Sequence, residues 1–155
     1  MIFRILGTGA RALKHEDAGP LYGALADTQH DVTQLGGRML VVQGACYPKK
    51  RADGSRPAES ADWLMHLWCE ANGVPDEPHP ADWANCTPLC PDKPHRKTRY
   101  DGTEYCPLAG HWRNQDMADL GAHLCIAAPV GRSTGTYDCM RRAKAAGIPV
   151  WPVTK

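Results

Sequence analysis

Three cysteines and a histidine crowd one short segment: Cys86, Cys90, His95 and Cys106. Thiolates and an imidazole in that number are what a tetrahedral zinc ion takes. Cys86-x3-Cys90 makes a hairpin-like pair, His95 lies just beyond it, and Cys106 returns after a basic loop. Pro88, Pro91, Pro94 and Pro107 deny the segment a helix or sheet of its own, so a metal would supply the order its composition cannot. Four protein ligands leave no open position, which makes the expected zinc structural; with three, a zinc-held water would open metal-assisted hydrolysis. His111 competes with His95 for the fourth place.

A second set of residues suits an anion. GTGAR at 7–11, VVQGAC at 41–46 and PVGRSTGTYDC at 129–139 each follow a strand-like run and end in glycine and small residues. Gly7 and Gly9 would let a phosphate or ribose approach the backbone amides, although such turns also serve simply to join strand to helix. Ser133, Thr134, Gly135 and Thr136 place hydroxyls and free amides at a helix start, where partial positive charge favours phosphate; Thr134 or Thr136 serves equally as an N-cap. In an open parallel sheet these three loops fall along the carboxyl edge, where ligands bind.

The elements that must carry those loops alternate. Strand patterns are read at 3–6, 38–43, 74–79 (an edge strand, given its prolines), 123–128 and 148–153. Helices are read at 17–30, 59–72, 113–120 and 136–146, several of them stopped by glycine. Residues 84–111 interrupt the alternation as a polar, Cys- and Pro-rich insertion. The expected fold is α/β: a Rossmann-like three-layer arrangement with a mainly parallel sheet of about five strands, plus a Cys/His zinc loop. A chain of 155 residues fits one domain over 1–155.

Composition narrows the partners. The formal net charge is +1, which argues against a dedicated nucleic-acid or membrane binder. No apolar stretch approaches the roughly 20 residues of a membrane span, and the opening apolar run is too short for a signal peptide, so a cytoplasmic location is expected. Seven cysteines in a reducing compartment read as metal ligands and buried thiols rather than disulfides. Cys69 and Cys125 lie in apolar periodic stretches and read as core thiols. Cys46 reads as packed and inert beside the second turn; Cys139, near a helix N-terminus, has a setting that favours thiolate.

The strings GTGAR, VVQGAC followed by SADWL, HPADW, AGHWRNQDM and GTYDCMRRAKAAGIPV resemble, nearly end to end and in order, the YspA-like branch of the SLOG superfamily. That superfamily is named for the DNA-processing protein DprA and the lonely-guy cytokinin-activating enzymes. The resemblance implies a Rossmann-like domain that binds nucleotides or nucleotide-derived ligands at its glycine-loop edge. Carried over by motif, the pocket would use Gly7, Thr8, Gly9 and Arg11; Gly44 and Ala45; Arg113 and Asn114 at the head of a helix; and Gly131, Ser133, Thr134, Gly135 and Thr136. Arg113 suits a phosphate fork. The cytokinin-activating members place a catalytic glutamate after the last loop, where this chain has Cys139, with Asp138 one residue early. Successive helical side chains turn by about 100°, so Asp138 does not substitute; a partner for the helix dipole is its plainer role. Asp62 or Asp116 remain as carboxylates for a hydrolase.

The leading expectation is a binding module that senses or sequesters an ADP-ribose-like signal. The alternative is a phosphoribohydrolase that cleaves an N-glycosidic bond. A DprA-like single-stranded DNA binder comes third, disfavoured by near-zero charge and sparse exposed aromatics. Oligomers are common in the superfamily, so a homodimer is compatible, but no stretch marks an interface.

Overall fold

Alternate residues of the central strands pack into two different cores. Ile5, Val41 and Ile126 belong to one cluster, while Leu6, Val42 and Cys125 belong to the other. Period-2 alternation with both sets apolar means a sheet covered on both faces, which is why these runs read as continuous hydrophobic stretches. The computed structural model describes residues 1–153 and bears this out.

Five strands form the sheet in the order β3-β2-β1-β6-β7, all parallel: β1 (Ile2–Gly9), β2 (Arg38–Gln43), β3 (Asp76–Pro78), β6 (Leu124–Ala128) and β7 (Val150–Pro152). β3 occupies an edge, where its Pro78 needs no ladder hydrogen bond beyond it. Helices α1 (Gly19–Gln34) and α2 (Ala61–Asn72) cover one face through Leu21, Leu25, Leu64 and Met65. Helices α3 (Ala109–Asp119) and α4 (Thr134–Ala145) cover the other through Met117, Cys139 and Ala143. This is a Rossmann-like α/β fold. The chain winds outward from β1 to β3, then returns to the far side of β1 at β6. That reversal opens a crevice at the carboxyl ends of β1 and β6.

Several expectations shift. α4 runs 134–145 rather than 136–146, with Ser133 and not Thr134 or Thr136 at its N-cap. α1 runs 19–34, not 17–30: Pro20 fits its first turn, where no amide is needed, and Gly36 at φ +74° ends it. The side chains of Thr28 and Thr33 donate back to the carbonyls of Ala24 and Gln29, so the helix tolerates both. α2 starts at Ala61 rather than residue 59, because Ser60 has a positive φ of 75°. α3 starts at Ala109, so Arg113 and Asn114 lie in its second turn rather than at its head. The Cys/His insertion, expected to hold no sheet of its own, contains a two-stranded antiparallel hairpin, β4 (Lys97–Thr98) with β5 (Glu104–Tyr105). Its prolines flank the hairpin instead of interrupting it, and Gly102 at φ +88° makes the turn. No helix among the described residues is long and apolar enough to cross a membrane.

Candidate functional site

The three glycine loops do converge. They border one cleft of about 540 Å³, lined by Gly7, Thr8, Gly9 and Arg11 after β1, by Gly44 after β2, and by Ser133, Thr134, Gly135 and Thr136 after β6. Arg113 and Asn114 line it from α3. Ala45 lies outside, on an adjoining cavity of about 370 Å³, and Gly131 borders neither. Ala45 (φ +56°) and Gly131 (φ +57°) both take left-handed backbone, so their part is to shape the turns.

Gly7 and Gly9 have a cause the sequence did not reveal. A Cβ at Gly9 would overlap the Ala61 side chain and come within 3.0 Å of the Ala128 carbonyl. A Cβ at Gly7 would overlap the Met65 thioether. The close packing of α2 on β1 therefore requires Gly9 and favours Gly7, whatever approaches from the cleft side. That packing carries Asp62, second residue of α2, to the cleft lining. Asp62 is 6% exposed and accepts from the Cys46 amide at 3.0 Å. Burial pushes its carboxyl up against the opposing pull of that amide and the Arg113 guanidinium. Asp116, the other carboxylate considered, lies on a different cavity.

Arg113 is less free than a phosphate fork should be. It donates to the carbonyl of Gly44, to the carbonyl of His79 at 3.3 Å and, through Nε, to Asn114 Oδ1 at 2.9 Å. A side chain at position 44 would collide with this guanidinium, which explains Gly44. The half-buried Cys46 thiol lies 3.8 Å from Nη2 of Arg113 and 3.8 Å from Nη2 of Arg11. Asp138 is buried and does not reach the cleft. It accepts from Asn114 at 3.1 Å and from Arg142 at 2.9 Å, and these bonds outweigh its burial to hold the carboxyl below the usual range. Cys139 is likewise buried, which raises its thiol to about 11; the expected thiolate-favouring setting is overridden by desolvation.

Cys86, Cys90, His95 and Cys106 come together, with their ligand atoms all within 4.8 Å of one another. This cluster could hold a metal ion. His95 Nε2 lies 3.4 Å from Cys86 Sγ and 3.6 Å from Cys106 Sγ, and its Nδ1 bonds the Lys93 carbonyl at 3.0 Å. The competitor His111 lies on α3 and lines the cleft instead. Two of the four donors, Cys86 and Cys90, are biased toward deprotonation, whereas burial raises the Cys106 thiol and the Lys93 carbonyl favours protonated His95. Arg96 donates to Cys86 and lowers its thiol. Burial opposes ionisation of Cys90, yet bonds from the Thr87 backbone and the Trp112 indole bring it to about 6. Such outer donors tune and orient metal thiolates.

Trp83 also lines the cleft, and nothing in its local pattern announced it beyond a bulky aromatic in a segment without apolar period. Its carbonyl accepts from the Cys106 amide at 2.8 Å, so the Cys/His loop and the cleft wall share a residue pair.

No family model matches the chain. The Gene 61 protein of Mycobacterium phage D29 is 36% identical over 149 residues, covering 95% of this chain and 93% of that one. Among solved structures, MurG of Acinetobacter baumannii aligns over 97% of this chain with a TM-score of 0.49 and 12% identity; the chain spans 34% of MurG. A universal stress protein family member from Burkholderia pseudomallei aligns over 98% of this chain and 96% of its own, with a TM-score of 0.36 and 14% identity. On the strength of the near full-length match, the chain belongs to the family of the phage D29 Gene 61 protein.

Proposed function

We propose that this protein binds a nucleotide or nucleotide-derived ligand, of ADP-ribose type, at the carboxyl edge of its sheet, as a sensor or sequestering protein. The supporting observation is the convergence of three loops on one cleft. Arg11, Arg113 and Arg132 line it together with the first turn of α4, and Asp62 is the one carboxylate in that lining. A helix leaves its first amides without internal acceptors, and they favour an anion. The volume of about 540 Å³ falls within the range of small-molecule sites, about 300–1,000 Å³. In this reading Ser133, Thr134 and Gly135 take the phosphate, and Asn114 and Thr8 meet the sugar. Titration calorimetry with AMP and ADP-ribose tests it: saturable binding of at least one is expected, and no heat from either sinks the proposal.

The same proposal gives the Cys/His cluster a structural zinc. Two thiolates at zinc's bond length of about 2.3 Å stand about 3.8 Å apart across a tetrahedral angle. Cys90 and Cys106 lie 3.7 Å apart, sulfur to sulfur. Zinc there would tie the loop to itself. The single negative charge left by three thiolates on one divalent ion would be offset by Arg96 and eased by the hydrogen bond from the Trp112 indole.

One observation favours a second reading, a phosphoribohydrolase. Asp62 is a carboxyl with a raised pKa lining the cleft, the setting of a proton donor. Incubation with nucleoside monophosphates separates the two: release of free base establishes the hydrolase, and its absence in the presence of binding leaves the sensor.

A further inference from the structure

Trp83 is held from three sides. Its carbonyl takes the Cys106 amide at 2.8 Å, its ring meets Tyr105 edge-on at 6.4 Å between centroids, and its Cη2 edge lies against Gly110, where a Cβ would stand 3.0 Å away. Cys106 is a member of the Cys/His cluster, Tyr105 belongs to the hairpin inside that loop, and Gly110 is the second residue of α3, where the loop ends. The indole is thus fixed by the loop and not by the two sheet cores, to which it does not belong.

Trp83 lines both of the adjoining cavities, of about 540 and 370 Å³. Among the described residues the exposed Arg11 lies over the ring, its guanidinium 5.5 Å from the centroid. A guanidinium at that distance engages the π-face of the indole, the same face a planar base would use. Arg11 itself lies on the cleft, so it can leave the ring and turn to a phosphate without crossing the protein.

We infer that Trp83 is the stacking platform for the nucleobase of the ligand, and that the Cys/His loop thereby sets a preference for base-bearing ligands over bare sugar phosphates. The inference rests on the nucleotide reading above and adds the part of the ligand that the glycine loops do not address. Base–aromatic stacking is tolerant of base identity, because every base has a π-face. The platform therefore selects for a base, and not for one base.

The test compares AMP with ribose 5-phosphate, titrated against the wild-type protein, Trp83→Phe and Trp83→Leu. Phenylalanine keeps a π-face; leucine fills space without one. Wild type should bind AMP more tightly than ribose 5-phosphate. Trp83→Phe should keep most of that preference, and Trp83→Leu should lose it, with AMP affinity falling roughly 5- to 150-fold and ribose 5-phosphate affinity unchanged. Retained ribose 5-phosphate binding reports an intact cleft in each variant. Equal wild-type affinity for the two ligands, a preference surviving in Trp83→Leu, or its loss in Trp83→Phe as well, overturns the inference while the nucleotide reading stands. Binding of neither ligand overturns this inference, and the nucleotide reading falls with it only if ADP-ribose also fails to bind.

Discussion

The side-chain amide of Asn114 donates to the buried carboxylate of Asp138 at 3.1 Å, and to the Gly135 carbonyl at 3.2 Å, tying α3 to the first turn of α4 at the cleft. Asp138 also takes Arg142 at 2.9 Å, so one carboxylate orients a cleft residue and neutralises a cation. Asp138→Ala should cost about 1–3 kcal/mol in urea unfolding, because it removes the acceptor that Arg142 and Asn114 share and leaves them only Gln115 and the Gly135 carbonyl. Asn114→Ala should cost less, about 1 kcal/mol, yet weaken AMP binding more than its stability loss explains. Equal loss of stability in both would show that the Arg142 pair adds nothing to the Asn114 contact.

The glycines of β1 should differ in cost. Gly9→Ala drives a methyl into the Ala61 side chain and the Ala128 carbonyl, neither of which can swing away. Gly7→Ala meets the Met65 thioether, which can. Thermal and urea denaturation should show Gly9→Ala destabilised by about 2–3 kcal/mol, and Gly7→Ala by about half that. Adding Ala61→Gly should recover part of the Gly9→Ala loss and none of the Gly7→Ala loss.

Removing metal should act on the loop before the sheet. Elemental analysis is expected to find about one zinc per chain. Cys90→Ala and His95→Ala should abolish it, and His111→Ala should leave it in place. Chelation should release the hairpin and Trp83, read as a change in tryptophan emission, while far-UV circular dichroism retains the parallel sheet. Full metal content in His95→Ala would remove His95 from the ligand set.

Thiol reactivity should sort the remaining cysteines. Burial raises Cys69 to about 12 and Cys139 to about 11, and pushes Cys125 higher still. Cys46 is half-buried on the cleft beside two guanidiniums. Iodoacetamide applied to the native, metal-loaded protein should label Cys46 first, by peptide mapping, and AMP should protect it. Early labelling of Cys139 would contradict its placement in the core.

Acid should weaken a specific ion pair. Glu77 on β3 accepts from Arg4 at 2.7 Å and bonds His79 at 2.7 Å, which lowers its carboxyl from 4.5 to about 2. A carboxylate depressed in the folded state contributes stability above its unfolded pKa and loses it as pH falls through the folded one. The denaturant midpoint of the wild type should therefore drop between pH 4.5 and about 2, and Glu77→Gln should flatten that segment. Glu77 is partly exposed, so the slope should also shrink in high salt.

The alternation of apolar runs with glycine-stopped helices was enough to place five strands and four helices, because burial on both faces leaves long unbroken hydrophobic stretches. The Cys/His cluster was legible because few other arrangements account for three cysteines in so polar a segment. What escaped was pairwise and long-range. Gly7 and Gly9 looked like ligand contacts until Ala61 and Met65, over fifty residues away, appeared on the opposite side. Arg113 looked free until two backbone carbonyls took its donors. Asp138 looked like a first-turn charge, and only the meeting of α3 with α4 makes it a buried acceptor. Tertiary context of this kind has no local signature.

The Cys/His loop leaves the sheet after β3 and rejoins it at α3, with its four donor side chains all supplied from within. Its length and composition can therefore change without moving strand register. The stretch is thus a cartridge: the wound framework beneath it carries no share of its donor set and would pass intact through an exchange.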